Sequence, residues 1–345
     1  MAEFVIIGGG VYGAGVAYWL AEQGAEVVLL EARDIGNGAS AGPGKRGTRA
    51  NGRDVSELPL IRLSHDMWPT LHERLGAPAF FETTGHLQLI ERELDVAAAE
   101  ARALMQNSFG TETHLLDRSA VRDIEPAVSD AVIGALHCPR DGVTDHTAAT
   151  EAFAEAAQRA GAEVRTNTKV VAVERGGERV EAVMTSAGDR VEVGRCLYML
   201  ANAGVPQLLG EALRLPVWSR TFQVLITAPV AGPGIRHLIG HVSRTLAIKS
   251  EAGGRIMVSG GLPGIWDPVA ERGTTVAASI EANLADAAAV FPMIDGAEVE
   301  IADADHLETV SVDGIPVIDQ VPGAANAIYA TAWSGHGWAI APAVT

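Results

Sequence analysis

The stretch VIIGGGVYGAGVAYWLAEQG, residues 5–24, determines how the beginning of this chain folds. The apolar run FVII at residues 4–7 is typical of a strand that is buried on both faces. Glycines follow it up to Gly13, and the small and apolar residues after them indicate a helix. A second apolar run, residues 27–30, ends at Glu31. The sequence therefore predicts a unit of strand, glycine turn, helix and strand.

The order G-x-G-x-x-G in this turn indicates a site for an adenine dinucleotide. Gly8 permits the tight turn, Gly10 lets the backbone approach a pyrophosphate, and Gly13 allows close packing of helix on strand. The free N–H groups and the partial positive charge of the helix N-terminus attract the phosphates. Glu31 can accept both hydroxyls of the adenosine ribose and would repel a 2′-phosphate. The motif alone leaves NAD and FAD both open.

The composition limits the kind of protein. A chain of 345 residues is long for one hydrophobic core, so we expect two closely packed domains. With 43 acidic and 26 basic residues the net charge is −17, which argues against nucleic acid or an anionic membrane as a partner. Cys138 and Cys196 cannot build a disulfide framework and suit a reducing cytoplasm. No apolar run reaches the length of a membrane span, and the immediate start of the first strand predicts no signal peptide.

The rest of the chain mixes strand and helix patterns and does not repeat one βα unit. Helices are predicted for residues 94–105 and from Asp145, a plausible N-cap, to Gly161. Strands are predicted at residues 85–91 and 131–139. Turn signals separate four further runs, which predicts an antiparallel meander with strands at residues 169–173, 180–185, 190–193 and 196–200.

In these motifs and in their order, the chain resembles the flavin oxidoreductases of the D-amino acid oxidase, glycine oxidase and sarcosine oxidase family. The resemblance extends over nearly the whole chain and is specific because the spacing agrees as well as the motifs. Besides the first glycine motif and LLEAR, it depends on GNGAS at residues 36–40, TNTKV at 166–170, LANAGV at 200–205, DGIPVID at 313–319 and SGHGWAIAP at 334–342.

The resemblance implies FAD, bound noncovalently, and two domains. A Rossmann-like α/β domain made of residues 1–84, 140–215 and 302–345 would bind FAD. An α+β domain with a large mixed sheet, residues 85–139 and 216–301, would cover the flavin ring and hold the substrate. Neither cysteine matches a position where relatives attach flavin covalently, and the GAS segment lacks the histidine that others use. The family usually continues its last helix further than this chain does.

Carried over residue by residue, the resemblance also predicts the cofactor contacts. The residues concerned are Gly8, Gly10, Gly13, Glu31, Ala32, Arg33, Ser40, Val170, Ala203, Gly204, Gly335 and Gly337. A helix that begins at the SGHG turn would point its N-terminus at the flavin N1–C2 edge and favour reduction. His336 in this turn is either an acid–base residue or a packed structural one. Trp333 and Trp338 beside it either line the flavin pocket or fill the core.

The resemblance further implies a type of reaction. A C–H bond beside an amine nitrogen loses a hydride to flavin N5, and water hydrolyses the resulting imine. The protein supplies orientation, a neutral amine and a site without water. The sequence has no zinc-type Cys/His spacing and no carboxylate cluster with metal spacing, so we predict no metal site. Two alternatives stay open: a flavoprotein subunit that relays electrons in a larger dehydrogenase complex, and a 2-hydroxy acid oxidoreductase on the same fold.

The substrate contacts depart from the family pattern. Amino acid oxidases of this family commonly place an arginine just before the D-G-x-P segment to hold the substrate carboxylate. Here the segment reads DHLETVSVDGIP, with His306, Glu308 and Thr309 at the positions concerned. Either another cation binds the carboxylate, or the substrate presents a cation or hydroxyls to Glu308, unless Glu308 is a solvent-facing strand residue. The candidate cations are Arg46, Arg49, Arg220 and Lys249.

The stretch GPGKRGTRANGR, residues 42–53, gathers four cations and no acid in an acidic chain. Its glycines make it a poor helix and a poor strand. In the family that the chain resembles, this segment passes the pyrophosphate and continues towards the flavin ring. We therefore predict that Arg46 or Arg49 faces the flavin or the substrate. Arg49 and His336 are the candidate catalytic residues, and Arg46, Glu308 and Lys249 are the candidate substrate contacts. Oxygen or another acceptor could reoxidise the flavin, and a nearby cation from this set would favour oxygen. Arg53, next to an aspartate, is a candidate for pairing with surface acids.

Overall fold

The computed structural model describes residues 2–38, 40, 42–210 and 213–345. The α-helices are α1 (Val11–Glu22), α2 (Leu58–Met67), α3 (Leu71–Arg74), α4 (Val96–Ser108), α5 (Arg118–Ile124), α6 (His146–Arg159), α7 (Val205–Leu209), α8 (Ala277–Val290) and α9 (Ala341–Val344). The strands are β1 (Ala2–Ile7), β2 (Val27–Leu30), β3 (Arg46–Thr48), β4 (Phe81–Glu82), β5 (His86–Ile90), β6 (His114–Asp117), β7 (Gly134–Cys138), β8 (Gly142–Thr144), β9 (Glu163–Arg165), β10 (Val170–Gly176), β11 (Arg179–Thr185), β12 (Arg190–Met199), β13 (Val217–Thr221), β14 (Val224–Thr227), β15 (Leu238–His241), β16 (Ala247–Ser250), β17 (Ile256–Ser259), β18 (Ile265–Asp267), β19 (Arg272–Thr274), β20 (Val299–Asp303), β21 (Leu307–Ser311), β22 (Val317–Gln320) and β23 (Ala327–Thr331).

The first sheet carries the glycine motif and has eight strands. Strands β9, β2, β1, β12 and β23 lie side by side and run parallel, and β22 pairs antiparallel with β23. The predicted strand FVII is buried on both faces. Phe4 and Ile6 join the core cluster that includes α1 and α6, whereas Val5 and Ile7 join the cluster beneath β11 and β12. This alternation explains the continuous apolar run.

The predicted antiparallel meander is present, with one correction. Strands β10, β11 and β12 pair antiparallel in this order. The two strands predicted at residues 190–193 and 196–200 are a single strand, β12. Gly194 lies inside it and does not make a turn, because a Cβ at this position would come within 2.8 Å of the Ala2 carbonyl oxygen. The glycine therefore allows β1 to approach closely.

The second sheet is the predicted large mixed sheet. Its eight strands follow the order β20-β14-β17-β16-β15-β5-β7-β6, and all neighbours are antiparallel except β15 and β5. Helix α8 packs on it through Ala287, Val290 and the residues around them. The strands of this sheet come from residues 86–138 and 224–303, and those of the first sheet come from elsewhere in the chain. The division into two domains stays a prediction.

The basic stretch 42–53 is tied to the rest of the molecule by a short strand. Although its glycines predict no regular structure, β3 pairs antiparallel with β8, which also pairs with β4. The end of the stretch is fixed by Asp141, which is fully buried. Its two carboxylate oxygens lie 2.8 and 2.9 Å from the Ala50 nitrogen, and the His65 Nε2 lies 2.9 Å from one of them. Tertiary contacts therefore overrule the local tendency.

Candidate active site

A cleft of about 760 Å³ opens at the carboxyl ends of β1, β2 and β12. One part of its wall follows β2 and includes the start of β10, and another part comes from β21 and the turn before α9. The predicted cofactor residues in its lining are Gly8, Gly10, Glu31, Ala32, Arg33, Ser40, Val170, Ala203, Gly204 and Gly337. Gly13 and Gly335 are not part of the lining. The structure thus brings together residues that lie far apart in the chain.

The glycines of the first turn have distinct geometric roles. Gly8 has a φ of +107°, and a Cβ on it would lie 2.7 Å from the Leu200 carbonyl oxygen. A Cβ on Gly13 would lie 1.7 Å from the Gly8 carbonyl oxygen, so this glycine permits the contact between α1 and the turn. A Cβ on Gly10 would meet nothing within 4 Å, because this residue faces the open cleft. The tight turn at Gly8 and the close helix contact at Gly13 are the geometry that the motif predicts, and the approach of a pyrophosphate to Gly10 stays a prediction.

The residues at this end of the cleft fit the adenosine and diphosphate of a dinucleotide. No side chain caps the N-terminus of α1, so its first N–H groups are available to phosphate oxygens. Glu31 is held in place by two backbone donors, Gly9 N at 2.5 Å and Arg33 N at 2.8 Å. A carboxylate has about four lone-pair sites, so it can accept ribose hydroxyls in addition.

A hairpin of β18 and β19 from residues 265–274 also lines this end of the cleft. It contributes Trp266, Pro268 and Glu271. The Glu271 carboxylate lies 3.9 Å from the Arg33 guanidinium and 3.7 Å from the Lys169 ammonium. These pairs are exposed and therefore weak. No sequence motif marks the hairpin, because it reaches the cleft only through the packing of the second sheet.

The other end of the cleft is built on an aromatic pair. Tyr12 stacks on Trp333 with ring centroids 3.5 Å apart and an interplanar angle of 5°. The Tyr12 hydroxyl donates to the Gly337 carbonyl oxygen at 2.6 Å. The turn before α9 is thereby joined to the first helix, and the residues after it continue as helix, as the SGHG motif predicts. Trp338 lines the cleft and is also buried in the core, and its contact with the flavin stays a prediction.

Glu308 lies in the wall of the cleft beside this aromatic pair and is only 5% exposed. The solvent-facing alternative for this residue is therefore wrong. Its Oε1 accepts from the Asn202 side-chain amide and from the Thr309 backbone N–H, both at 2.8 Å. Burial raises the pKa of Glu308 to about 7. Asn202 lines the cleft as well, and only its place just beyond the end of β12 could have identified it from the sequence.

We expect Glu308→Gln to change how stability depends on pH. The folded-state pKa of about 7 lies above the ordinary value of 4.5, so the folded protein binds the extra proton between these values. Wild-type stability should therefore fall from pH 4.5 through pH 7, by roughly 3 kcal/mol at most from this group. The neighbouring Tyr12 stays neutral there, because burial raises its pKa well above the ordinary value. Urea unfolding at pH 5 and pH 8 measures this. The free energy of unfolding of the variant should rise relative to that of wild type only at pH 8. An equal rise at both pH values would contradict the raised pKa of Glu308.

His336 does not line the cleft. Its Nδ1 lies 3.3 Å from Oε1 of the buried Glu57. Burial lowers the pKa of His336, and the neighbouring Arg53 lowers it further. Arg53 itself is 3% exposed, so the interpretation that it pairs with surface acids is wrong. The catalytic role of His336 stays a prediction. Its contact with Glu57 connects it to the segment directly before α2.

The role of the basic stretch in substrate binding stays a prediction. In the structure, the Arg46 side chain contacts its own loop. Its guanidinium donates to five backbone carbonyl oxygens of its own loop, those of Ser40, Gly42, Pro43, Gly44 and Lys45. Burial lowers its pKa to about 10. Arg49 donates to the Asn51 carbonyl oxygen at 2.6 Å, and Asp141 lies close by. Neither arginine is part of the cleft lining.

We expect Arg46→Ala to act on stability and to leave the FAD content unchanged. Hydrogen bonds from a charged group contribute about 1.5–3 kcal/mol, so the Tm should fall by roughly 5 °C. Lys45→Ala is the matched control, because this side chain forms one ion pair, with Glu82, at the rim of the loop. Thermal unfolding and the flavin-to-protein absorbance ratio measure both properties. An unchanged Tm with lost turnover would show that Arg46 acts on the substrate directly.

Lys249 and Arg220 lie apart from the cleft. Lys249 is 5% exposed, and burial lowers its pKa to about 7. It lines a second cavity of about 720 Å³, which shares His146 with the cleft. Arg220 stands opposite Glu308 in the β13–β21 ladder, but its guanidinium lies over the Phe222 ring, 5.0 Å from the centroid. The substrate contact of Lys249 stays a prediction.

Within the described ranges, one group of side chains has the spacing of metal ligands. The atoms of His65, Cys138 and Asp141 lie within 4.8 Å of one another, and all three residues are buried. The Asp141 oxygens already accept from Ala50 and contact His65, so the group is accounted for by hydrogen bonding. Burial raises the pKa of the Cys138 thiol, which disfavours the thiolate that a metal requires. Neither this cysteine nor Cys196 lines the cleft, which supports noncovalent FAD.

Comparison with known proteins defines the class. A family model described as FAD dependent oxidoreductase matches residues 3–344, and the chain belongs to this family. As a member of this family, the chain is an FAD-dependent oxidoreductase. In the part of the chain that the structure describes, no helix is both long and apolar enough to cross a membrane.

Individual relatives share 25–30% sequence identity with the chain. The chain is 30% identical over 224 residues to 4-methylaminobutanoate oxidase (formaldehyde-forming) of Paenarthrobacter nicotinovorans, which covers 62% of this chain and 27% of that protein. It is 26% identical over 340 residues to an opine oxidase subunit of Rhizobium meliloti, covering 93% and 86%. The crystal structure of L-proline dehydrogenase from P. horikoshii superposes with a TM-score of 0.90 at 25% identity, covering 99% of this chain and 91% of that one. The chain thus spans about a quarter of the length of the first relative.

Proposed function

We propose that this protein oxidises a C–N bond in an amine or amino acid, with hydrolysis of the resulting imine. The observation that supports this most is the cleft, which fits a dinucleotide at one end and places a buried carboxylate, Glu308, in an aromatic wall at the other. When bound there, FAD supplies an acceptor for the hydride of the C–H bond beside the nitrogen. The proposed cofactor residues are the ten predicted ones that line the cleft, together with Gly13 and Gly335.

The chain's own residues orient the substrate and exclude water. Asn202 and Thr309 fix the Glu308 carboxylate, so it meets the substrate in one orientation. With a pKa of about 7, Glu308 can take up the proton that an ammonium must lose before its nitrogen lone pair assists oxidation. Tyr12 and Trp333 close this end with apolar surface and exclude solvent from the reacting carbon.

An anaerobic substrate panel tests the proposal. FAD-loaded protein is mixed with alkylamines, N-methyl amino acids and 2-hydroxy acids, and the flavin absorbance is followed. Bleaching by an amine or amino acid, with release of a carbonyl product, is the expected result. Bleaching by 2-hydroxy acids alone would replace the proposal by the hydroxy acid alternative.

A second candidate is an electron-relaying subunit of a larger complex. The opine oxidase relative, which matches 93% of this chain, is named as a subunit. The segment where a carboxylate-clamping arginine is common carries His306, Glu308 and Thr309 instead. On this hypothesis, no substrate in the panel bleaches the flavin of the isolated chain, although dithionite does. Purification of the chain from its native source would then show a second polypeptide in constant proportion.

A further inference from the structure

We propose that Glu308 and Asn202 form a binding site for a protonated nitrogen, and that the substrate is an amine without a carboxylate next to the reacting carbon. This inference depends on the proposed function and makes it specific. It selects positively charged alkylamines, N-methylalkylamines and diamines over α-amino acids.

The first support is the lack of a counter-charge for Glu308. The groups that contact its carboxylate are neutral: the Asn202 amide, the Thr309 N–H and the Gly335 N–H. Within the described part of the chain no lysine or arginine forms an ion pair with it, and its cross-strand neighbour Arg220 lies over Phe222 instead. A buried carboxylate without a cation is unfavourable, so a ligand that supplies the positive charge gains affinity from it.

The second support is a free acceptor next to this carboxylate. The Asn202 Oδ1 is buried and has no hydrogen-bond partner among the described residues. Its orientation is set by the Nδ2, which donates to Glu308, because the opposite orientation would place two acceptors together. Both residues line the cleft. A carboxylate and an amide oxygen side by side match the several N–H donors of an ammonium group and repel a carboxylate.

The third support is backbone strain at Asn202, which has a φ of +43°. Such a conformation costs of order 1–3 kcal/mol outside glycine, somewhat less for asparagine, and it is typical of functional positions. The Thr331 hydroxyl donates to the Asn202 carbonyl oxygen at 2.9 Å and holds the residue in place. In this conformation the Asn202 side-chain amide lies 2.8 Å from the Glu308 carboxylate.

The arginines of the basic stretch do not compensate for this acidic wall. Arg46 is bound to loop carbonyls, and Arg49 and Arg53 lie beside Asp141 and Glu57. All three are absent from the lining of the cleft. Leu307 and the tryptophans of the same wall are apolar and suit an alkyl substituent. The lining does include Arg33 and Lys169, but both lie beside Glu271 at the other end. Among the described residues, a carboxylate beside Glu308 would therefore find no arginine or lysine in the wall.

The test compares matched substrates on matched variants. The probes are an N-methylalkylamine and the N-methyl amino acid with the same carbon chain, and the readout is the rate and apparent Kd of anaerobic flavin reduction. Wild type should favour the amine. Glu308→Gln and Asn202→Ala should each weaken amine binding about tenfold or more, with little change for the amino acid. Glu178→Gln, an exposed carboxylate, is the control and should behave as wild type.

A charge reversal gives the sharpest outcome. In Glu308→Arg, flavin reduction by the amine should be lost and reduction by the amino acid should increase. If this variant fails to retain FAD, Glu308→Gln and Asn202→Ala decide the test. Preference of wild type for the amino acid, or an unchanged preference in Glu308→Gln, would overturn the inference while leaving C–N oxidation intact. If neither probe nor any other amine reduces the flavin, the proposed function itself fails. A shifted flavin spectrum in Glu308→Gln with unchanged preference would assign the residue to the cofactor and also overturn the inference.

Discussion

Gly13→Ala should produce protein that purifies with less than about a tenth of the normal flavin, because overpacking at this point distorts the site. The added Cβ would lie 1.7 Å from the Gly8 carbonyl oxygen. That oxygen belongs to the backbone and the Cβ is fixed directly to the helix backbone, so neither can move aside as the end of a flexible side chain would. Helix α1 must shift away from β1, and its N-terminus then no longer faces the cleft. The flavin-to-protein absorbance ratio and the Tm measure the result.

Gly10→Ala separates cofactor binding from folding in the same turn. A Cβ at this position meets none of the described atoms within 4 Å, so the Tm of the variant without FAD should equal that of wild type. The methyl group would project into the space proposed for the diphosphate, and FAD affinity should fall. A Gly13→Ala protein with full FAD content and unchanged Tm would contradict the assignment of this turn.

Asp141→Ala should lower the free energy of unfolding by about 3–5 kcal/mol, which is typical when one partner is removed from a buried charged network. The change leaves the Ala50 N–H without its acceptor and removes the negative charge near Arg49 and Arg53. Burial already lowers the pKa of both arginines, so they are sensitive to this loss. Urea unfolding of the FAD-loaded protein measures the effect.

Two variants serve as references for Asp141. Asp141→Asn keeps an acceptor for the Ala50 N–H and loses only the charge, so it should fall between wild type and Asp141→Ala. Asp295→Ala removes an exposed carboxylate and should change stability by less than about 0.5 kcal/mol. If Asp141→Ala is as stable as Asp295→Ala, the buried network does not hold the basic stretch in place.

The sequence predicts the features whose signal is local. The first glycine turn, Glu31, the meander and the helix after Asp145 follow from spacing and residue type, and the structure confirms these elements. The helix from Asp145 is an example, because the carboxylate accepts from the Ala148 N–H as an N-cap should.

Contacts between distant segments could not be predicted in this way. Asn202 and Glu308 are 106 residues apart, and Tyr12 and Gly337 are 325 apart. No spacing rule relates such positions, because they meet only when β21 and the last turn pack against the first sheet. The cations of the basic stretch illustrate the same limit: their charge is evident from the sequence, but the direction of Arg46 is set by the carbonyl groups of its folded loop.

The most direct test of the account measures flavin reduction and product together. FAD-loaded protein is mixed anaerobically at pH 8 with an N-methylalkylamine, and the bleached flavin, the carbonyl product and the released amine are quantified. If the protein oxidises the C–N bond, the three should appear in equal amounts, because each two-electron oxidation yields one imine that water cleaves. Flavin that stays oxidised with every amine and amino acid, or that is reduced without release of amine, would contradict it.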